Sequence, residues 1–277
     1  MPAIRVITAA DIPGAMRLKE AAGWNQTEQD WLNLLHLAPD GCFGIACDGA
    51  LAATASAVCF GRDLAWIGMV LTHPDFRGRG YARRLLEHAL GYLTSRSVEC
   101  IKLDATEMGR PLYRKLGFED EAPIERWARS PQANASRSEE NRFRLLPFKL
   151  SDWIALDREC SRVDRSALLA TLALPGAAAI PGEGYAMGRP GTNAAYFGPC
   201  ICRSTRAARA LLAWFVSQHP GETLYWDLLP ANTDAVGLAQ ELGFTPLRRL
   251  VRMALAGSKP IFQNYSRIFA TAGFEYG

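Results

Sequence analysis

The hydrophobic and polar positions of the first half of the chain predict strands and amphipathic helices in a regular order. Residues 4–8 alternate as a half-buried strand does, and the following stretch predicts a helix up to about Ala22, capped by Thr8 or Asp11. From Ala82 onward the apolar residues recur at helical spacing, which predicts an amphipathic helix to about Leu93. The other predicted elements are a helix over 28–37, an antiparallel meander over 42–47, 50–60 and 64–71, a strand over 100–103, a short helix ended by Gly117, and a strand over 121–128.

The second half of the chain repeats the hydrophobic pattern of the first. The Gly-Phe pair at 243–244 corresponds to that at 117–118, and upstream of it the strand over 224–227 stands where 102–104 stands in the first half. The apolar stripe at 208, 211, 212 and 215 then mirrors the first amphipathic helix. Between the halves, 129–141 is polar and has almost no apolar residue beyond alanine. We therefore predict two domains of related fold, 1–129 and 142–277, joined by a linker over 130–141.

Length and composition are those of an ordinary globular protein. The 277 residues exceed one typical domain, and 49% hydrophobic against 21% charged residues provide enough material for two cores. A net charge of +3 argues against nucleic acid as a main partner. The seven cysteines are odd in number and none has zinc-site spacing, so we expect reduced core residues, no metal and a cytoplasmic protein. No signal peptide core and no apolar run of membrane-spanning length is present in the sequence.

A glycine-rich turn, Arg77-Gly78-Arg79-Gly80, joins the strand ending at Leu71 to the helix that starts near Ala82. Backbone N–H groups at a helix N-terminus with no Cβ in the way suit phosphate, and arginines add charge-assisted contacts. The Walker pattern is missing, and the Rossmann pattern fails because Arg83 stands where its third glycine is needed. The turn therefore predicts a phosphate site of another kind, or, alternatively, an ordinary turn with two solvated arginines.

A second segment follows the strand over 100–103 and carries Tyr113 four residues before the pair Gly117-Phe118. Pro111 fits the first turn of a helix, and Gly117 fits the position after its end. A phenol with a pKa of about 10 can give a proton to a thiolate formed when a thioester breaks. The alternative is an aromatic side chain that packs in the core.

These two segments, Arg77-x-x-Gly80-x-Ala82 after a strand and Tyr113 before Gly117-Phe118, resemble the cofactor motifs of the GNAT N-acetyltransferases. The repeated pattern is similar to that of bacterial tandem GNAT proteins with a degenerate second domain. The resemblance implies an α/β (α+β) fold in which each domain has a mixed, mostly antiparallel sheet flanked by helices. It also implies acetyl-coenzyme A as the co-substrate and no metal.

The resemblance assigns roles to particular residues. The pyrophosphate would lie on the amides of the turn, the pantetheine arm would pair with the end of the strand before it, and Tyr113 would protonate the leaving thiolate. The cofactor-binding residues implied are Met69, Val70, Leu71, Arg77, Gly78, Arg79, Gly80, Tyr81 and Ala82. Thr106 and Gly109 depart from the family pattern, in which Asn and Ala are frequent.

The second domain is expected to lack a cofactor site. From Gly198 to Leu211 the chain is four positions shorter than from Gly68 to Leu85, at the place of the glycine-rich turn. Ala239 also stands where the first domain has its tyrosine. Without the turn the amides cannot surround a pyrophosphate, and without the phenol no proton donor remains.

The acceptor side is less specified by the sequence. In the GNAT order the first two helices lie over the acceptor, so Trp24, Asn25 and Trp31 are candidate substrate contacts, although a tryptophan there is as often a packing anchor. The apolar tail over 268–277 predicts a final edge strand of the second domain. Alternatively the tail closes the acceptor site, and Glu275 would then hold the substrate amine.

An amine acceptor needs a group that removes its proton, because an amine with a pKa of about 10 is mostly protonated at pH 7. The candidates are Asp104, Glu107, His73 and Glu275. Asp104 has a counterpart, Asp227, in the degenerate copy, which favours a structural role for it. His73 belongs to the turn before the glycine-rich segment and is suited to shaping that turn.

The sequence therefore leads to an N-acetyltransferase that moves an acetyl group to a primary amine, either a small molecule or an amino-terminal group, in a ternary complex. One alternative is a non-catalytic coenzyme A sensor or regulatory module. Another is acylation of a protein or RNA, which the modest net charge does little to support. We expect a small-molecule amine as partner, no nucleic acid and no membrane, and the sequence leaves open whether the protein is a homodimer.

Overall fold

The computed structural model of the protein describes residues 2–131 and 145–277. Most of the predicted linker, 132–141, lies outside these residues. The chain forms two compact units built from non-contiguous segments. Unit 1 consists of Met1–Glu121, Arg252–Pro260 and Glu275–Gly277, and unit 2 of Ala122–Val251 and Ile261–Phe274. The predicted domain limits at 129 and 142 stay a prediction.

Unit 1 contains a mixed sheet flanked by helices. In chain order its first elements are β1 (Ile4–Val6), α1 (Ile12–Ala21), α2 (Glu28–Leu37), β2 (Cys42–Cys47), β3 (Ala50–Phe60), β4 (Leu64–Thr72), α3 (Tyr81–Ser95), β5 (Cys100–Ala105) and α4 (Arg110–Lys115). The strands β1 to β5 are neighbours in that order, with antiparallel pairing up to β4 and parallel pairing of β4 with β5. The next strand, β6 (Phe118–Arg129), begins in unit 1 and belongs to unit 2 from residue 122.

The predicted elements of this half are confirmed, with small differences at their ends. The first strand stops at Val6 because Thr8 donates from its backbone N–H and its hydroxyl to the Asp11 carboxylate, at 2.9 and 3.2 Å, and so turns the chain. The stripe on α3 buries Leu85, Leu86, Ala89 and Leu93 against the sheet, as the spacing predicts. The hydrophobic face of α3 therefore holds its N-terminus at a fixed place beside β4.

Unit 2 repeats this arrangement. Its strand order is β6-β11-β10-β9-β8-β7, and β10 pairs with β11 in parallel, as β4 does with β5. The elements are β7 (Leu146–Pro147), α5 (Leu150–Ser161), α6 (Ser166–Leu172), β8 (Ala177–Ile180), β9 (Gly184–Arg189), β10 (Ala195–Cys202), α7 (Thr205–Gln218), β11 (Leu224–Leu228), α8 (Thr233–Glu241), β12 (Thr245–Leu255) and β13 (Ile268–Ala270). Beyond residue 251, β12 belongs to unit 1.

The repeat extends to a buried ion pair in each unit. In unit 1, Arg252 donates to both carboxylate oxygens of Asp104 at 3.0 and 3.2 Å. In unit 2, Arg126 donates to both oxygens of Asp227 at 2.7 Å. Aligning the two Gly-Phe pairs places Arg126 opposite Arg252. Each aspartate directly follows the last residue of its strand that pairs in parallel, which is Leu103 in β5 and Trp226 in β11. A buried carboxylate requires such a partner, because an unpaired charge in the interior is strongly destabilising.

Candidate active site

A gap opens between β4 and β5 at the end of β4. The two strands pair from Leu64 opposite Cys100 to Ile67 opposite Leu103, and β4 continues to Thr72 past the last paired residue. The backbone groups of Met69–Leu71 therefore face a place where a ligand can pair with them as an additional strand would.

A β-bulge at Met69 shapes this end of β4. Across the ladder, Thr54 lies opposite Leu71 and Ser56 opposite Gly68, so β4 carries one residue more than β3 in this interval. Met69 has φ 49°, in the left-handed region, and its carbonyl accepts a hydrogen bond from the Thr54 hydroxyl at 2.8 Å. The bulge turns backbone groups of β4 away from the ladder and toward the gap.

The glycine-rich turn lies directly before α3. Gly78 and Gly80 both have φ 76°, and a Cβ on either would meet no atom within 4 Å. Gly80 is the N-cap of α3, and residues 77–80 are exposed. Open space, left-handed glycines and the amides of a helix N-terminus form a cradle that an anionic phosphate fits.

The residues around the turn fix its shape. The His73 ring Nδ1 accepts the backbone N–H of Asp75 at 3.3 Å, which assigns His73 to the turn. Arg77 donates from Nε to the Thr72 carbonyl at 3.4 Å, and Arg79 donates to the Asp75 carbonyl at 3.3 Å and lies over the Phe76 ring. Their exposed guanidinium groups remain near the cradle and add positive charge to it.

Tyr113 lies on α4, where it is 8% exposed and packs edge-on against Phe118. Burial raises the pKa of its phenol above the ordinary value, so the phenol is protonated at neutral pH. A Cβ on Gly109 would lie 2.8 Å from the Tyr113 ring, so the glycine makes room for the tyrosine. The Thr106 hydroxyl accepts the N–H of Gly109 at 3.1 Å, which gives both departures from the family pattern a local role in the turn before α4.

The candidate acceptor contacts have different environments. Trp31 is fully buried on α2, which fits a packing anchor. Asn25 is 5% exposed. Trp24 is partly buried, and its backbone N–H donates a hydrogen bond to the Lys19 carbonyl at 3.1 Å. Their predicted contact with substrate stays a prediction.

The C-terminal tail contributes to both units. Ile268–Ala270 forms β13, which pairs antiparallel with β10, so the tail predicted as an edge strand over 268–277 is a strand only in its first three residues. Glu275–Gly277 belongs to unit 1, where the Gln26 side chain donates to the Glu275 carboxylate at 2.9 Å. Gln26 directly follows Trp24 and Asn25 in the same loop, and its position beside these two candidates is the signal in the sequence that points to it.

The base candidates also differ in their surroundings. Asp104 holds Arg252 in the buried pair described above, which agrees with a structural role. Glu107 is exposed in the turn before α4. The His73 ring nitrogen Nδ1 is engaged in the turn.

The part of unit 2 that the structure describes, 122–131 and 145–251 with 261–274, lacks the corresponding site. The gap after the β10–β11 pairing is occupied by β13, because the Trp226 indole donates to the Phe269 carbonyl at 2.7 Å and the Thr271 N–H to the Asp227 carbonyl at 3.0 Å. The turn before α7 is short and capped by the Ser204 side chain. Ala239 is buried at the place of the tyrosine. The chain's own strand thus fills the place that a cofactor arm would need.

Comparisons with known proteins agree with this description. Residues 14–118 match the Acetyltransferase (GNAT) family, and residues 153–270 match a further Acetyltransferase (GNAT) domain. The protein therefore belongs to the GNAT acetyltransferases and carries two such domains in tandem.

Its relatives span nearly the whole chain. YitH of Bacillus subtilis (strain 168), described as an uncharacterized N-acetyltransferase, is 25% identical over 244 residues, which are 84% of either protein. A protein of Pyrococcus horikoshii, described as an acetyltransferase of unproven activity, has a TM-score of 0.86 at 20% identity over 99% of this chain and 95% of its own. A tandem GNAT protein of the clavulanic acid biosynthesis pathway has a TM-score of 0.68 at 14% identity over 94% and 100%. At these identities the structural likeness shows a common fold.

None of the helices within residues 2–131 and 145–277 has the length and apolar character needed to cross a membrane. Within the same residues, no group of three or more His, Cys, Asp or Glu side chains comes together as a metal site requires.

Proposed function

We propose that the protein is an acetyl-coenzyme A-dependent N-acetyltransferase that acts on a primary amine, a small molecule or an amino-terminal group, in a ternary complex. The observation that carries the proposal is the combination in unit 1 of a bulged β4, an open glycine cradle at α3 and a buried tyrosine. Unit 2 has lost its counterparts of the cradle and the tyrosine, and β13 fills its gap. The proposal requires no metal, nucleic acid or membrane and leaves a homodimer open.

The residues of unit 1 would divide the work of binding between them. The amides of 77–82 would hold the pyrophosphate, and Met69–Leu71 would pair with the pantetheine arm. The co-substrate supplies an acetyl group activated as a thioester. An N–H at the bulge would polarise the thioester carbonyl as an oxyanion-hole donor does.

Tyr113 would act as the general acid. Its raised pKa keeps the phenol protonated before the reaction, so a proton is always present for the sulfur. A buried phenol is a weaker acid than a thiol, so the proton moves while the carbon–sulfur bond breaks and the negative charge on sulfur grows. The acid role therefore depends on the phenol lying at the leaving sulfur rather than on its acidity.

A coenzyme A sensor without turnover is the second candidate, and the degenerate unit 2 is the observation that favours it. Thiol release from acetyl-coenzyme A in the presence of a panel of primary amines separates the two functions. An enzyme releases thiol with at least one amine and loses this activity in Tyr113→Phe. A sensor is stabilised by acetyl-coenzyme A but releases no thiol with any amine.

A further inference from the structure

The tail of unit 1 lies across β4 next to the bulge. A Cβ on Gly68 would lie 2.9 Å from the Glu275 Cα and 3.0 Å from the Glu275 carbonyl oxygen. Any other residue at position 68 would therefore collide with the main chain of the tail. Gly68 directly precedes Met69. The tail therefore occupies the space of the absent side chain at position 68, next to the backbone groups of β4 that face the gap.

Three consecutive residues fix the tail in place. The Glu275 carboxylate accepts from Gln26 at 2.9 Å and is 2% exposed. The Tyr276 hydroxyl donates to the Asp30 carbonyl at 3.3 Å. The Cα of Gly277 lies so close to Trp66 that a Cβ there would be 2.6 Å from the indole ring. The carboxylate is thus held by the loop between α1 and α2, which is the loop that carries Trp24 and Asn25.

A second polar group points to the same place. Ser56 lies opposite Gly68 in the β3–β4 ladder and is fully buried. Among the described residues its hydroxyl has no hydrogen-bond partner, and it lies 3.3 Å from the Cβ position of Gly68. A buried hydroxyl without a partner costs free energy unless a ligand or water satisfies it. A buried hydroxyl that can bind a polar group therefore lies where the tail crosses β4. No local pattern in the sequence marks Ser56 for this role.

From this arrangement we infer that Glu275 binds the ammonium group of the acceptor and removes its proton. The inference rests on the proposed function and deepens it, because it selects cationic alkyl amines as the substrate class. Position 68 is glycine, so β4 offers no side chain there, and the main chain of Glu275 lies in its place. Of the other candidates, Asp104 pairs with Arg252, His73 shapes its turn through Nδ1, and Glu107 is exposed.

The protons and bonds balance in this scheme. One N–H proton of the ammonium moves to the Glu275 carboxylate, and the freed nitrogen forms a bond to the acetyl carbon. The carbon–sulfur bond then breaks, and the sulfur takes its proton from Tyr113. Glu275 then passes its proton to solvent. The nitrogen loses a second proton, which restores the phenol of Tyr113. One proton is therefore released for each amide formed.

The test compares Glu275→Gln with the matched control Glu20→Gln, which makes the same change on the exposed face of α1. Thiol release is measured with two nucleophiles small enough for any amine pocket, methylamine and hydroxylamine. Methylamine is a cation at pH 7 and needs a base, whereas hydroxylamine is mostly uncharged and does not. Rates without enzyme are subtracted.

We expect Glu275→Gln to lower kcat/KM for methylamine by about 10²- to 10⁴-fold at pH 7 and to change the value for hydroxylamine far less. The methylamine deficit should shrink by about tenfold per pH unit toward the amine pKa, because the free amine becomes the substrate. Glu20→Gln should resemble the wild type throughout. Equal activity of Glu275→Gln and wild type with methylamine overturns the inference, and so does a loss that is the same for both nucleophiles at every pH.

A binding measurement separates the inference from the proposed function. Methylammonium chloride should raise the Tm of the wild type in coenzyme A more than sodium chloride does, and this excess should vanish in Glu275→Gln. The variant must keep the wild-type Tm shift with acetyl-coenzyme A, which shows that its fold is intact. Wild type that releases no thiol with any amine removes the proposed function. Methylammonium stabilisation that is equal in wild type and variant, or absent from wild type, removes the role of Glu275.

Discussion

Replacing Gly80 by glutamate tests the phosphate cradle most directly, and the chain offers a matched control. Gly80 and Gly61 have φ values of 76° and 62°, both in the left-handed region, and a Cβ on either would meet nothing within 4 Å. Gly61 lies in the turn between β3 and β4, at the opposite end of β4 from the cradle. Gly80→Glu and Gly61→Glu therefore introduce similar backbone strain and the same charge, and only the first places a carboxylate at the predicted pyrophosphate site.

The expected magnitudes follow from strain and charge. A left-handed conformation costs a non-glycine residue about 1–2 kcal/mol, so both variants should lose a similar few degrees of Tm without ligand. Acetyl-coenzyme A at 100 times its Kd should stabilise the wild type by about 2.7 kcal/mol. A carboxylate at about 4 Å from a phosphate charge costs about 1–4 kcal/mol at effective dielectric constants of 80 to 20. A binding loss of about 2.7 kcal/mol lowers the stabilisation at that concentration to about 0.4 kcal/mol.

The assay is thermal unfolding of the three proteins over a series of acetyl-coenzyme A concentrations. Gly61→Glu should show the ligand-dependent Tm rise of the wild type from a lower starting value. Gly80→Glu should show little rise up to concentrations at which the wild type is saturated. A rise in Gly80→Glu equal to that of the wild type would mean that the cradle does not hold the cofactor. An equal loss in Gly61→Glu would trace the effect to general destabilisation.

Three further predictions concern the acid, the buried ion pair and the first turn. Tyr113→Phe should lower kcat by about 10²- to 10⁴-fold in thiol-release kinetics and leave the Tm shift with acetyl-coenzyme A intact; an unchanged kcat would remove Tyr113 as the acid. Arg252→Met should lower the free energy of unfolding of unit 1 by about 3–5 kcal/mol in urea, because it leaves Asp104 buried without its cation. Adding Asp104→Leu to this variant should recover most of the lost stability. The exposed pair of Arg83 with Glu87 is the control, and Arg83→Met should change stability by no more than about 0.5 kcal/mol. The Arg5 side chain lowers the pKa of Asp11 from 3.8 to about 2, so the carboxylate stabilises the fold above pH 3.8 and loses this effect as the pH falls toward 2. The Tm difference between wild type and Asp11→Asn should therefore shrink between pH 5 and pH 2. A difference that stays constant over this range would contradict the prediction.

The sequence by itself determined the elements and the cradle, because their causes are local. The start of α2 at Glu28 follows from the capping box in which the Thr27 N–H donates to Asp30 at 2.7 Å, just before a helical stripe. Gly78 and Gly80 marked a turn before α3, and both residues have φ 76° in the structure. Each signal involves residues a few positions apart, so a local pattern suffices to predict it.

The tertiary structure decided how the end of β4 and the C-terminal tail are arranged in unit 1. The extra residue at Met69 exists only relative to β3, so no pattern within β4 could predict the bulge. Asp104 became a structural residue through Arg252, which lies 148 positions away in the chain. Glu275 meets Gln26 across 249 positions and lies over Gly68, where the absence of a side chain leaves space for it. Such contacts depend on how the whole unit packs, because a local segment carries no information about the distant residue that it will meet.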